Sequence, residues 1–212
     1  MLVGRFPQQD QFLKLALLAV LIAVLIWSGI GPTDRFTWAL EVLPVVAAIG
    51  ILLATNRRFP LSPLSCWAVF LFGVILCIGG HWTYAEVPAG LWVRDALGLS
   101  RNHYDRLGHF AQGFFPAILT REVLLRTSPL RPGKWLGFLV SAVCLAISAS
   151  FEFCEWAAAL ATGSAADAYL ATQGDPWDTQ WDMFLALIGS ILAQLFLRNK
   201  LQRQLWDRGW MK

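Results

Sequence analysis

Charge is scarce in this sequence. Asp, Glu, Lys and Arg make up 15% of its 212 residues, against about 25% in a soluble domain. Hydrophobic residues reach 57% and mean hydropathy is +0.53, so a soluble globule of this length would lack the polar surface to cover itself. Cysteine is sparse as well. Cys66, Cys77, Cys144 and Cys154 stand in apolar stretches with no CxxC pair, which excludes a disulfide scaffold and a zinc ribbon. The 17 Gly and 10 Pro follow no repeat, so collagen-like and low-complexity chains are excluded too. No glycine-rich phosphate loop, GxSxG elbow, HExxH helix or EF-hand loop occurs. A basic face interleaved with aromatics is also missing, so nucleic acid is not an expected partner. What remains is an all-α polytopic membrane protein.

A spanning helix needs about 20 mostly apolar residues. Segments 12–30, 38–55, 64–80, 104–125, 135–161 and 181–197 meet this length, and they predict a six-helix transmembrane bundle forming one domain over residues 1–212. Arg5 and Lys14 ahead of the first apolar run resemble a signal peptide. No small-x-small cleavage site follows Trp27, however, and Gly31-Pro32 reads as a turn, so a retained helix is expected. Between the cores of the third and fourth spans, Gly79 to Pro88 mixes polar and aromatic residues over too short and too broken a stretch to cross a bilayer. It is expected to be a short re-entrant or interfacial segment.

The short loops set the orientation. Of the 17 Lys and Arg, only Arg35, Arg94, Arg101 and Arg106 fall on the side opposite the termini. The positive-inside rule therefore predicts cytoplasmic N- and C-termini in a bacterial inner membrane. Acids distribute the other way: only Asp10, Glu122 and Asp207 of the 14 Asp and Glu fall on the inner side. The basic inner rim fits contact with anionic lipid headgroups, and several of the 11 Trp lie near span ends, where interfacial anchoring is expected.

Ionisable groups inside spans are costly and usually face a cavity or one another. Three spans carry them at their outer ends. Asp105, His109 and Gln112 share one face of the fourth, as do Ser148, Glu152 and Glu155 of the fifth; Asp178 and Asp182 are i,i+4 at the start of the sixth. Together with His81, Glu86, Gln173 and Asp175, this topology brings one or two His and up to seven carboxylates to a single depth. Such carboxylates in a low dielectric cannot all be ionised, so they share protons, pair with Arg106 or hold a cation. Asp105, His109, Glu152 and Asp182 are the candidate catalytic and metal-ligating residues. His81, Glu86, Arg106, Gln112, Glu155, Gln173, Asp175 and Asp178 are expected to bind or support. His with Asp and Glu suits Zn²⁺, Mn²⁺ or Fe²⁺, and an all-oxygen set suits Ca²⁺ or Mg²⁺. A bound ion would activate water against an ester or phosphoryl group; without one, a carboxylate would act as general base.

Several stretches carry a family resemblance: His81-Trp82-Thr83-Tyr84-Ala85-Glu86-Val87-Pro88, Tyr104-Asp105-Arg106-Leu107-Gly108-His109-Phe110, Gln112-Gly113-Phe114-Phe115-Pro116, Arg121-Glu122, and Thr172 through Met183. Over about residues 20–200 the chain resembles the YjdF family of bacterial inner-membrane proteins, a domain of unknown function. That resemblance implies location and fold, and no activity. A weaker resemblance is to VanZ-like membrane proteins, with Asp105, His109, Phe110, Glu152, and Asp182 with Gly189 in corresponding places. Ala186 stands where the VanZ-like pattern carries an Asn. This second resemblance implies a cell-envelope role around glycopeptide resistance or a lipid-linked substrate. Three functions stay open from the residues: chemistry on a lipid or lipid-linked envelope molecule, a non-catalytic cation, proton or lipid binding or transport module, and a structural membrane protein. Membrane lipids are expected partners in each.

Overall fold

The structure is a computed structural model that describes residues 8–163 and 167–211. Arg5 and Lys212, which entered the charge asymmetry, lie outside the described residues, as does the side chain of Asp167. Helix starts follow local capping chemistry. Asp34 Oδ1 accepts the Thr37 amide hydrogen at 2.6 Å and opens α2, Arg35–Thr55. Ser62 Oγ accepts from the Ser65 amide and Pro63 occupies the first position of α3, Pro63–Trp82, where its missing N–H costs nothing. Ahead of these lies α1, Gln8–Ser28. A 3-10 turn, Tyr84–Glu86, leads into the short α4, Pro88–Leu97, which ends on Gly98 in the left-handed region. Then follow α5, Tyr104–Thr127, α6, Lys134–Thr162, the single turn α7, Asp167–Leu170, and α8, Asp178–Asp207. No strand occurs among the described residues.

Five of these helices, α1, α2, α3, α6 and α8, are long and apolar enough to cross a membrane. The sixth expected span, α5, has the length at 24 residues, about 36 Å at 1.5 Å per residue. It falls short on composition because Asp105, Arg106, His109, Gln112, Arg121, Glu122 and Arg126 lie along it. Most of those groups are buried against other helices. A second difference concerns residues 81–88. α3 runs on through His81-Trp82, which form its last turn. Gly79 does not stop the helix, since glycine costs only about 1 kcal/mol there, and its bare Cα is where the Tyr84 ring packs.

α5 sits at the centre, packed on α8, α3 and α6. Its contact with α8 is made of small residues: Gly113 lies on the Ala186 carbonyl, and Gly189 on the Phe110 carbonyl and the Phe114 amide. This is how helices approach closely in lipid, where packing replaces hydrophobic drive. One core joins Ala117, Ile118 and Leu125 of α5 to Leu136, Val140 and Cys144 of α6 and Ala193, Leu201 and Leu205 of α8. A second joins Leu21 of α1, Val42 and Val45 of α2, and Leu76 and Cys77 of α3 to Tyr84 and Tyr104. The outside is apolar, with Phe12, Leu15, Leu43, Ile51, Leu53, Phe153 and Phe196 exposed, as a lipid-facing surface requires.

Two polar clasps fasten one end of the bundle. Glu122, fully buried, accepts from the Ser62 amide at 3.0 Å, from the hydroxyls of Ser62 and Ser65 at 2.6 Å each, and from Arg126 at 2.6 Å. Arg126 also donates to the Pro60 carbonyl and lies against Phe59 and Trp210. Asp10 of α1 pairs with Arg208, just after α8, at 2.5 Å. The start of α1 and the end of α8 therefore meet at one end of the bundle.

Candidate functional site

Three helices each carry a polar stripe, and the packing of α5 between α6 and α8 turns these stripes toward one another. Asp105, His109 and Gln112 face inward from the first three turns of α5. Ser148, Glu152 and Glu155 face inward from α6, and Asp178 and Asp182 from the start of α8. All eight side chains are buried.

His109 is the hub. Its Nε2 lies 3.6 Å from Asp105 Oδ1, 3.8 Å from Glu152 Oε1 and 4.0 Å from Asp182 Oδ2. Nδ1 is 3.2 Å from Gln112 Oε1, an acceptor, and so carries the hydrogen in the neutral ring. The Nε2 lone pair then faces three carboxylates, an arrangement that calls for a proton or a cation between them. Two overlapping sets hold donor atoms within 4.8 Å of one another: Asp105, His109 and Asp182, and His109, Glu152 and Glu155. Around an ion with bonds of about 2.1 Å, tetrahedral donors stand roughly 3.4 Å apart, so small side-chain rotations would close either set. Glu152 Oε1, Asp182 Oδ1, Ser148 Oγ and Glu41 Oε2 are buried without hydrogen-bond partners among the described residues. Unsatisfied buried oxygens are expensive, and a cation held by either set would satisfy the Glu152 or the Asp182 oxygen.

Glu41 belongs to this region although it did not stand out in the sequence. It sits on α2 and lines the same small cavity as Tyr84, Asp105, His109, Gln112 and Glu155. A charged residue three positions into an apolar run was the available signal. The cavity has a volume of about 10 Å³, room for one water or ion.

A charged roof covers the cluster. Arg101 pairs with Asp178 and lies 3.6 Å from Asp105 and 3.7 Å from Asp175, and it donates to the Ala171 carbonyl. Arg106 pairs with Asp175 and lies over the Trp181 ring. Gln173 accepts from the Asn102 amide at 2.9 Å and donates to its carbonyl at 2.8 Å; the Asn102 side chain binds the carbonyls of Ala85 and Val87. Ala171 and Gln173 hold positive φ of 48° and 49°, and these bonds fix that strained turn. The Trp177 amide and, less strongly, the two arginines hold the Asp175 carboxyl below its usual range. Partial burial, helped by Arg106 and Arg101, lowers His103. Arg101 and Asn102 look like ordinary loop residues in the sequence, because their partners lie some 70 positions away.

Two of the expected supporting residues lie elsewhere. His81 Nδ1 is 2.9 Å from the Ser28 carbonyl and its ring stacks on Trp27. Glu86 is exposed in the 3-10 turn. The cluster therefore contains one His.

Residues 13–203 match the model of a family described as predicted membrane protein (DUF2238). Over 185 residues the chain is 52% identical to the inner membrane protein YjdF of Escherichia coli (strain K12), covering 87% of this chain and 88% of that protein. No solved structure matches. With its apolar helices and this relative, it is a multi-pass inner-membrane protein. The chain belongs to the DUF2238 family of membrane proteins.

Proposed function

We propose that the protein holds a divalent cation within the bundle, on Asp105, His109, Glu152 and Asp182. We further propose that it uses the site on a lipid or lipid-linked envelope molecule. The observation that carries this reading is the buried His109 Nε2 within 4.0 Å of carboxylates from α5, α6 and α8. When bound, the ion would polarise a phosphoryl or ester oxygen and activate water. Glu41 and Glu155 would take or give up the proton, and the Arg101–Asp178 and Arg106–Asp175 pairs would close the site against bulk water. The VanZ-like resemblance points to the same four residues.

In this reading the single domain crosses the membrane six times, with α5 as the fourth span, α4 at the interface and both termini cytoplasmic. Arg208 pairing with Asp10 supports an even number of crossings. Trp92, Val93 and Leu97 exposed on α4 support its interfacial place. The acidic site then opens toward the periplasm. A second reading, cation or proton binding without turnover, is favoured by the cavity volume, which admits an ion and no lipid until the roof opens.

The test is the metal content of detergent-purified protein after incubation with Zn²⁺, Mn²⁺ or Mg²⁺, by plasma mass spectrometry. Near-stoichiometric metal in the wild type and its loss in folded His109→Ala and Asp182→Ala are expected. A folded wild type that retains no metal would overturn the cation site. Turnover of lipid-linked phosphate esters surviving both Glu152→Ala and Asp182→Ala would overturn the catalytic half alone.

A further inference from the structure

At the opposite end of the bundle from the acidic cluster, a cleft opens between the start of α6 and the later half of α8. Its volume is about 740 Å³, within the range of ligand pockets. Lys134 and Arg198 stand exposed at its rim and Arg121 reaches into it from α5; Phe138, Leu187 and Ile191 form an apolar wall. Among the described residues, no carboxylate lines it. Arg121 is 5% exposed, an uncommon degree of burial for a cation, and forms no ion pair among the described residues. One Nη donates to Gln194 Oε1 at 3.2 Å, while the buried Nε has no partner. Gln194 is itself anchored to the Gly137 carbonyl and the Ser141 hydroxyl, so the guanidinium is held in place. A second feature points the same way. α6 begins at this cleft with no side-chain cap, leaving its first amides and the positive end of its dipole toward the space beside Gly133 and Lys134.

A buried cation that lacks a counter-charge is costly, and nearby Glu122 is consumed by the Ser62, Ser65 and Arg126 clasp. The missing partner is an anion. Phosphate fits a guanidinium edge, two further cations and helix amides. The apolar wall below selects a phosphate that carries an acyl chain. We propose that this cleft binds the phosphate of an anionic phospholipid, with Arg121 as its principal contact and Arg198 and Lys134 closing over the headgroup. The proposal does not depend on the acidic site or its chemistry.

The test uses the full chain in uncharged detergent, titrated with dioctanoyl phosphatidylglycerol, dioctanoyl phosphatidylcholine and inorganic phosphate, with bound states counted by native mass spectrometry. Phosphatidylglycerol is expected to bind at least tenfold more tightly than phosphatidylcholine, and Arg121→Gln to lose that preference. Should Arg121→Gln misfold, the double variant Lys134→Gln/Arg198→Gln is expected to weaken binding severalfold. Lys200→Gln/Arg203→Gln, which removes equal charge outside the cleft, is expected to leave it unchanged. Unaltered lipid binding in the folded Arg121 variant, or in the cleft double variant, would overturn the proposal. So would an equal loss in the control pair, which would mark general surface attraction. Inorganic phosphate binding as tightly as the lipid would make this a soluble-anion site and overturn the lipid assignment.

Discussion

His109 offers its two ring nitrogens to different chemistry. Gln112 takes the hydrogen of one, which orients the ring, and the other is left facing Asp105, Glu152 and Asp182. A residue one helical turn along the same face thus supports a candidate ligand, as outer-shell partners do in metal sites. Asp175 works by a different principle at the roof, where its carboxyl is held low by the Trp177 amide and by Arg106 and Arg101. Its folded value lies below its unfolded one, so its stabilisation is fully present above a pH of about 4. That stabilisation is lost as pH falls through the folded value. Hydrogen exchange over residues 171–178, corrected for intrinsic rates, is expected to show a closed roof at pH 4 and opening only below it. Asp175→Asn is expected to open the roof at neutral pH; equal protection in that variant would count against the pairing. The i,i+4 spacings of Asp105 with His109 and Asp178 with Asp182 are legible in the sequence, because helical periodicity alone places each pair on one face. Glu41 was less legible, since its partners come from other helices.

At the scale of helices, the contact of α5 with α8 sets the geometry of the site. Both elements contribute side chains to the acidic cluster, and their separation is fixed by Gly113 on Ala186 and by Gly189 on Phe110. A methyl group at either glycine meets backbone, which cannot swing aside as a side chain can. Gly189→Ala is expected to cost about 1–3 kcal/mol through overpacking, read as a lower melting temperature in detergent. Gly50→Ala is the contrasting case. Nothing lies within 4 Å of a Cβ there, and removing glycine from a helix interior is expected to be neutral or to stabilise by about 0.5–1 kcal/mol. Equal effects at the two positions would refute the close-contact account. α5 itself shows what composition alone leaves out. Averaging counts its Glu122, Arg121 and His109 as exposed charge, whereas the fold buries them against neighbours.

For the whole molecule, the two ends of the bundle differ in kind. One gathers acids around a His; the other carries the Glu122 clasp, the Asp10–Arg208 pair and a cleft lined only by cations among its charged groups. This polarity runs the same way as the charge asymmetry of the loops, and the proposed topology, with both termini cytoplasmic, can be tested directly. Green fluorescent protein fused after residue 212 is expected to fluoresce, as it does in the cytoplasm. Alkaline phosphatase inserted at the Gly98 turn is expected to be active, as it is only in the periplasm. The reverse pattern would invert the orientation and move the acidic cluster to the cytoplasmic face.

The sequence by itself determined that this chain lives in a membrane, where five of its apolar helices lie, and which helical faces carry acids. Those properties are local: transfer to lipid adds up residue by residue, and helical period follows from the backbone. Only the tertiary structure decided which polar faces meet. It joined Glu41 to the His109 cluster and left His81 against Ser28 and Glu86 in the open. It also clasped Arg101 over residues some 70 positions away, and left Arg121 buried at a cleft with no counter-charge among the described residues. Those outcomes depend on the spacing and rotation of packed helices, which small residues such as Gly113 and Gly189 set through contacts between distant parts of the chain.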